Sequence, residues 1–109
     1  MSDSGWEVFD IHELKLDPAK GPVSYREFLR VQTMSCGLYR LEKGSKDMQT
    51  PHDEDEMYFV LEGRAQLQVG DEVHEVKPGS ILYVQAAEAH SFFEIVEDMT
   101  LLVVFPSGS

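Results

Sequence analysis

The residues best equipped for chemistry in this chain are His52 and Glu56, in TPHDEDEMYFVLEG (residues 50–63), and His90, in VQAAEAHSFF. Imidazole nitrogen and carboxylate oxygen together suit a divalent transition metal. Pro51 and the β-rich MYFVL argue against a helix through His52 and Glu56. On a straight strand, four residues cover roughly 13 Å, whereas two ligands of one ion each lie about 2 Å from it. His52 and Glu56 therefore share an ion only if the chain reverses at Asp53-Glu54-Asp55, and aspartate favours such turns. His52 then ends one strand, Glu56 begins the next, and His90 brings a third ligand from across a barrel. The competing view is that DEDE is a solvated acidic turn that happens to hold a histidine.

Other reactive side chains carry less. His12 and His74 sit beside Glu13 and Glu75 in polar surroundings and are expected at the surface. Cys36 alternates with Met34 and Leu38, which predicts a core thiol rather than a nucleophile. No Ser-His-Asp set, phosphate loop or CxxC pattern is present.

The elements that must position these residues are short strands. Segments rich in Val, Ile, Leu, Tyr and Phe recur from Met34 onward, each bounded by Gly, Pro or acidic turn residues. Strands are predicted near 34–42, 48–52, 56–62, 64–69, 72–77, 80–84, 89–95 and 99–105. In RAQLQV, Ala65, Leu67 and Val69 face inward, with Arg64, Gln66 and Gln68 outward. VSYREFLRVQ fits a helix through Tyr25, Phe28, Leu29 and Gln32, or a strand through Tyr25, Leu29 and Val31. Residues 1–22 read as an irregular lead-in and 23–109 as the barrel. Many short strands without a long helical pattern predict an all-β sandwich or barrel.

Bulk properties narrow the function. With 109 residues, 42% hydrophobic and 27% charged, the chain fits one globular domain. A net charge of −11, from 20 acids against 9 bases, repels phosphates and anionic lipid, so neither nucleic acid nor membrane is expected as a partner. No apolar run approaches the roughly 20 residues that span a bilayer, and MSDSGWEVFD does not read as a secretory signal. A single cysteine fits a reducing compartment, with cytoplasm as the default.

Residues 44–94 resemble the two motifs of the cupin superfamily. The first runs glycine, five residues, H-x-H, three or four residues, glutamate, six residues, glycine; Gly44, His52, Glu56 and Gly63 match in register. The second runs glycine, five residues, P-x-G, two residues, histidine, three residues, asparagine; Gly79 and His90 match. Thr50 replaces the first histidine, Gln85 the proline, Ala87 the glycine and Glu94 the asparagine. The chain is most similar to small single-domain cupins whose first motif runs Q-x-P-H-x-x-D-E.

The resemblance implies a jelly-roll barrel (a double-stranded β-helix) around a divalent iron, manganese, nickel or zinc ion held by histidines and a glutamate. Here His52, Glu56 and His90 remain, the ligand set of a facial triad that leaves coordination positions open. Thr50 shares a face with His52 and is placed to orient a water, and Gln49 is a further candidate through its amide oxygen. Alternation from Glu56 puts Tyr58 and Val60 on the pocket face, and alternation from His90 adds Phe92 and Glu94. Glu94 is either a general base or the partner of a cation such as Arg40. Two functions follow: a metal-dependent dioxygenase, isomerase or lyase acting on a small organic molecule, or a sensor that binds such a ligand with its metal structural or absent. Met57, Phe59 and Leu61 make the same strand apolar on its outer side, which predicts a homodimer, with Trp6, Phe9 and Ile11 covering that side in cis or crossing to a partner.

Overall fold

The computed structural model describes residues 5–14, 21–47, 54–86 and 88–106. Among these residues there are eight strands: β1 (Val23–Val31), β2 (Met34–Leu41), β3 (Glu56–Glu62), β4 (Ala65–Val69), β5 (Glu72–Val76), β6 (Ile81–Val84), β7 (His90–Phe93) and β8 (Met99–Pro106). A five-stranded sheet runs β1-β2-β8-β3-β6 and a three-stranded sheet runs β5-β4-β7. Every pairing is antiparallel. The all-β jelly-roll expectation holds. Among the described residues no helix is long and apolar enough to cross a membrane.

Period-two alternation sorts each strand into an inner and an outer face. Glu56, Tyr58 and Val60 of β3 point inward, as do Met99, Leu101 and Val103 of β8. From the smaller sheet come Ala65 and Leu67, Val76 and Phe92, and these side chains fuse into one core between the sheets. The inward residues of RAQLQV are those its alternation predicts.

Of three further strand expectations, one resolves an ambiguity, one falls outside the described residues and one ends early. The ambiguous VSYREFLRV is a strand, because β2 offers it a ladder of backbone partners from Val23↔Leu41 to Val31↔Met34. That ladder overrides any helical preference of an isolated segment. Residues 48–52 lie outside the described residues. The strand expected over 89–95 stops at Phe93, where Glu94 takes a φ of +48° and breaks the extended chain.

The outer face of the larger sheet is apolar over three adjacent strands. Met57 faces Tyr83 and Val104, and Phe59 faces Ile81 and Leu102. The described residues of the lead-in cover part of this face. Ile11 and Leu14 line a groove of about 440 Å³ with Leu38, Leu61 and Thr100, and Phe9 packs edge-on against Phe28. Trp6 is exposed, Met57 remains 46% exposed, and Ile81 and Tyr83 are each 62% exposed.

Candidate functional site

Glu56 is the first residue of β3 and His90 the first of β7, so they belong to different sheets. Closing the two sheets over one core brings their side chains together, with His90 Nε2 2.6 Å from Glu56 Oε1 and each side chain only 1% exposed. Tyr58, two residues along β3, is buried and its hydroxyl lies 3.0 Å from the same Nε2. Phe92, two along β7, packs edge-on against the Tyr58 ring at 5.3 Å. Alternation thus placed Tyr58 and Phe92 correctly on the inner face.

The hydrogen-bond pattern around His90 fixes its tautomer. Nδ1 lies 2.9 Å from the Glu88 carbonyl oxygen, which only accepts, so Nδ1 carries the proton. In the neutral ring, Nε2 then presents a lone pair, which the Tyr58 hydroxyl can satisfy. Glu56 Oε1 at 2.6 Å is also an acceptor when ionised. Two lone pairs do not approach this closely without a proton between them, so 2.6 Å is the length of a charge-assisted hydrogen bond from a protonated ring, and the same two atoms could instead turn to a metal ion. Burial disfavours the charged imidazole. The hydrogen bonds to Glu56 and the Glu88 carbonyl, with the charges of Glu56 and Asp47, outweigh it and hold the His90 pKa above its ordinary value. A buried N/O donor pair fits the ion that the motif implies.

Several polar residues of the interior carry no signal in the sequence. Asp47 is buried; its Oδ1 accepts the Tyr39 hydroxyl at 2.7 Å and its Oδ2 accepts the Phe92 N–H at 2.9 Å. Asp55, read above as part of an acidic turn, accepts the Ala86 N–H at 2.8 Å and so ties the start of β3 to the loop before β7. Tyr25 lies over Gly37, where a Cβ would run into its ring and hydroxyl. Its pKa is pushed up to about 12, by burial first and then by the charges of Glu27, Cys36 and Glu56. Burial, followed by the hydrogen bond to Asp47, raises Tyr39 further. Both phenols stay protonated, and Tyr39 donates to Asp47.

Other expected site residues lie elsewhere. Glu94 is exposed, because its positive φ turns it out of the alternation and sends Ile95 into the core instead. It therefore does not line the pocket beside Phe92, and Arg40 is held by Glu42 and Asp98, each at 3.3 Å. His52, Gln49 and Thr50 lie outside the described residues. Among the described residues no group of three or more His, Cys, Asp and Glu side chains gathers as a metal cluster, and Glu56 and His90 stand as a pair. His12 and His74 are exposed. Cys36 is buried on the outer side of β2, and burial raises its thiol pKa, which keeps it a neutral packing group.

Comparison with known proteins places this geometry in context. Residues 37–105 match the family profile described as "Cupin domain". An uncharacterised protein of Streptomyces coelicolor is 46% identical over 99 residues, covering 91% of this chain and 94% of that protein. Among solved structures, KdgF from a Halomonas species superposes with a TM-score of 0.79 at 13% identity, over 94% of each chain. Salicylate 1,2-dioxygenase from Pseudoaminobacter salicylatoxidans, solved with gentisate, superposes with a TM-score of 0.72 at 14% identity, over 78% of this chain and 25% of that one.

Proposed function

The chain belongs to the cupin family, and on that premise we propose that it holds a divalent metal through His52, Glu56 and His90 and binds a small organic molecule beside it. The observation that carries this is the 2.6 Å approach of His90 Nε2 to Glu56 Oε1, with Nδ1 already committed to a carbonyl. When bound, the ion supplies Lewis acidity and open coordination positions. The chain's own residues do the rest. The Glu88 carbonyl holds the ring so that Nε2 points inward, and the Tyr58 hydroxyl lies beside Nε2, where it can occupy the lone pair while no ion is bound. The Tyr58 and Phe92 rings wall the pair against water. Gln49 and Thr50 are further candidates for the pocket by their place in the motif. The fold shared with a dioxygenase supports an enzyme that oxidises a small organic molecule, with isomerisation and elimination as the other reactions that the motif resemblance allows. The second reading is a ligand-binding sensor, favoured by the replacement of a motif histidine by Thr50.

Elemental analysis of the purified protein tests the reading first, with metal expected at about one ion per chain. Iron-loaded protein is then offered small diketones, thiols and phenols while oxygen uptake and product formation are followed. Turnover identifies an enzyme, binding without turnover a sensor, and failure to take up any divalent metal overturns both forms that include the ion. The single buried cysteine supports a reducing, cytoplasmic setting.

We also propose a two-fold homodimer with the lead-in near its interface. Its support is the continuous apolar patch of Met57, Phe59, Ile81 and Tyr83 on the paired strands β3 and β6. Light scattering at micromolar concentration is expected to give twice the 12.4 kDa chain mass, and Phe59→Lys to shift it toward the monomer. A monomeric wild type would refute the dimer.

A further inference from the structure

Asp47 has a role that neither motif assigns. It lies in the loop after β2, beyond Tyr39 and Leu41, and shares no element with the candidate ligands. Its carboxylate nonetheless reaches into the interior, where both oxygens accept hydrogen bonds from groups on two other elements: Tyr39 of β2 and Phe92 of β7.

The second of these bonds matters because of what β7 is. That strand has four residues and, among the described residues, lies at the edge of the three-stranded sheet and pairs only with β4. Its first residue is His90. An edge strand presents backbone groups on its free side that no neighbouring strand completes, and a short one has few ladder bonds to resist a shift in register or tilt. The Asp47 carboxylate supplies an acceptor for the Phe92 N–H at 2.9 Å, as a neighbouring strand would. The Tyr39 hydroxyl, at 2.7 Å, fixes the carboxylate in turn.

We propose that Asp47 is a positioning residue for the metal centre: by holding the edge of β7 at Phe92, it sets where His90 stands relative to Glu56. This rests on the metal reading above for its consequence, though not for its geometry. Outer groups that orient a ligand typically change metal affinity by about 10- to 100-fold when removed.

Two substitutions separate position from charge. In Asp47→Asn the amide oxygen can still accept the Phe92 N–H, while the amide N–H donates to the Tyr39 oxygen, so the place is kept and the charge lost. In Asp47→Glu the charge is kept and the carboxylate moves by one methylene. Each variant, checked for folding by circular dichroism, is titrated with cobalt(II) and read by its visible absorption, then with zinc against a chelator. Asp47→Asn is expected to stay within about threefold of wild type with an unchanged cobalt spectrum. Asp47→Glu is expected to weaken binding about tenfold or more, at the low end of that range, and to shift the spectrum. The reverse order, or two variants that match wild type, overturns the proposal. If the wild-type protein takes up neither metal, the metal reading fails by itself. Asp47 is then judged on the metal-free protein, from the ring nitrogen resonances of His90 and the amide exchange of Phe92. Both should change in Asp47→Glu and persist in Asp47→Asn, and an unperturbed His90 ring in Asp47→Glu overturns the positioning role.

Discussion

Glu56→Gln is expected to lose metal by about two orders of magnitude or more in affinity while the barrel stays folded. The amide keeps the shape of the side chain, but its neutral oxygen no longer offsets a dication in a site from which water is excluded, where charge counts most. His90→Ala removes the nitrogen itself and is expected to retain no stoichiometric metal. Neither change should unfold the protein, because the core is built from the apolar side chains of both sheets. The pH dependence has a definite sign. The His90 pKa in the folded protein is raised, so the protonated ring stabilises the metal-free fold fully below its ordinary pKa of about 6.5. That contribution is lost as pH rises through the raised value. Metal needs the unprotonated Nε2, so occupancy moves the opposite way and falls as the solution is acidified. Bound metal per chain and circular dichroism, measured across pH for wild type and both variants, check this. Full metal retention by His90→Ala would sink the shared site.

Gly63→Ala is expected to destabilise the fold by about 3–5 kcal/mol, combining left-handed backbone strain with overpacking. Gly63 follows β3 and leads, through Arg64, into β4, so it turns the corner from one sheet to the other. Its φ is +92°, and a Cβ there would stand 2.7 Å from Met99 Cα and closer still to the Asp98 carbonyl oxygen. Both are backbone atoms, so no rotamer change relieves the contact. Gly79→Ala is the control, since Gly79 has a φ of +95° but open space around its Cβ position. It carries the strain without the collision and should cost about 1–3 kcal/mol. Urea midpoints for the two variants decide the matter. Equal losses would mean that the contact at Asp98 and Met99 is absorbed by a small movement of β8.

The sequence by itself determined the β class, the inward set of β4 and the residues worth testing as ligands. These are local properties: alternation assigns a face to each side chain, and turn residues mark where strands stop. Glu56, Tyr58, His90 and Phe92 were legible because they stand early in strongly patterned strands, and the in-register motif positions pointed to them as well. Closure of the barrel decided the rest. VSYREFLRV became a strand because β2 had an edge to complete, a choice that the segment's own pattern left open between helix and strand. Glu94 left the pocket because one residue adopted a positive φ, and a single backbone turn reverses every face assignment beyond it. Asp47 lies 45 residues from Phe92 in sequence, and Glu56 34 from His90. No periodicity spans such separations. Only packing two sheets on one core sets those distances, and so turns an acid in an unpatterned loop into a partner of the site.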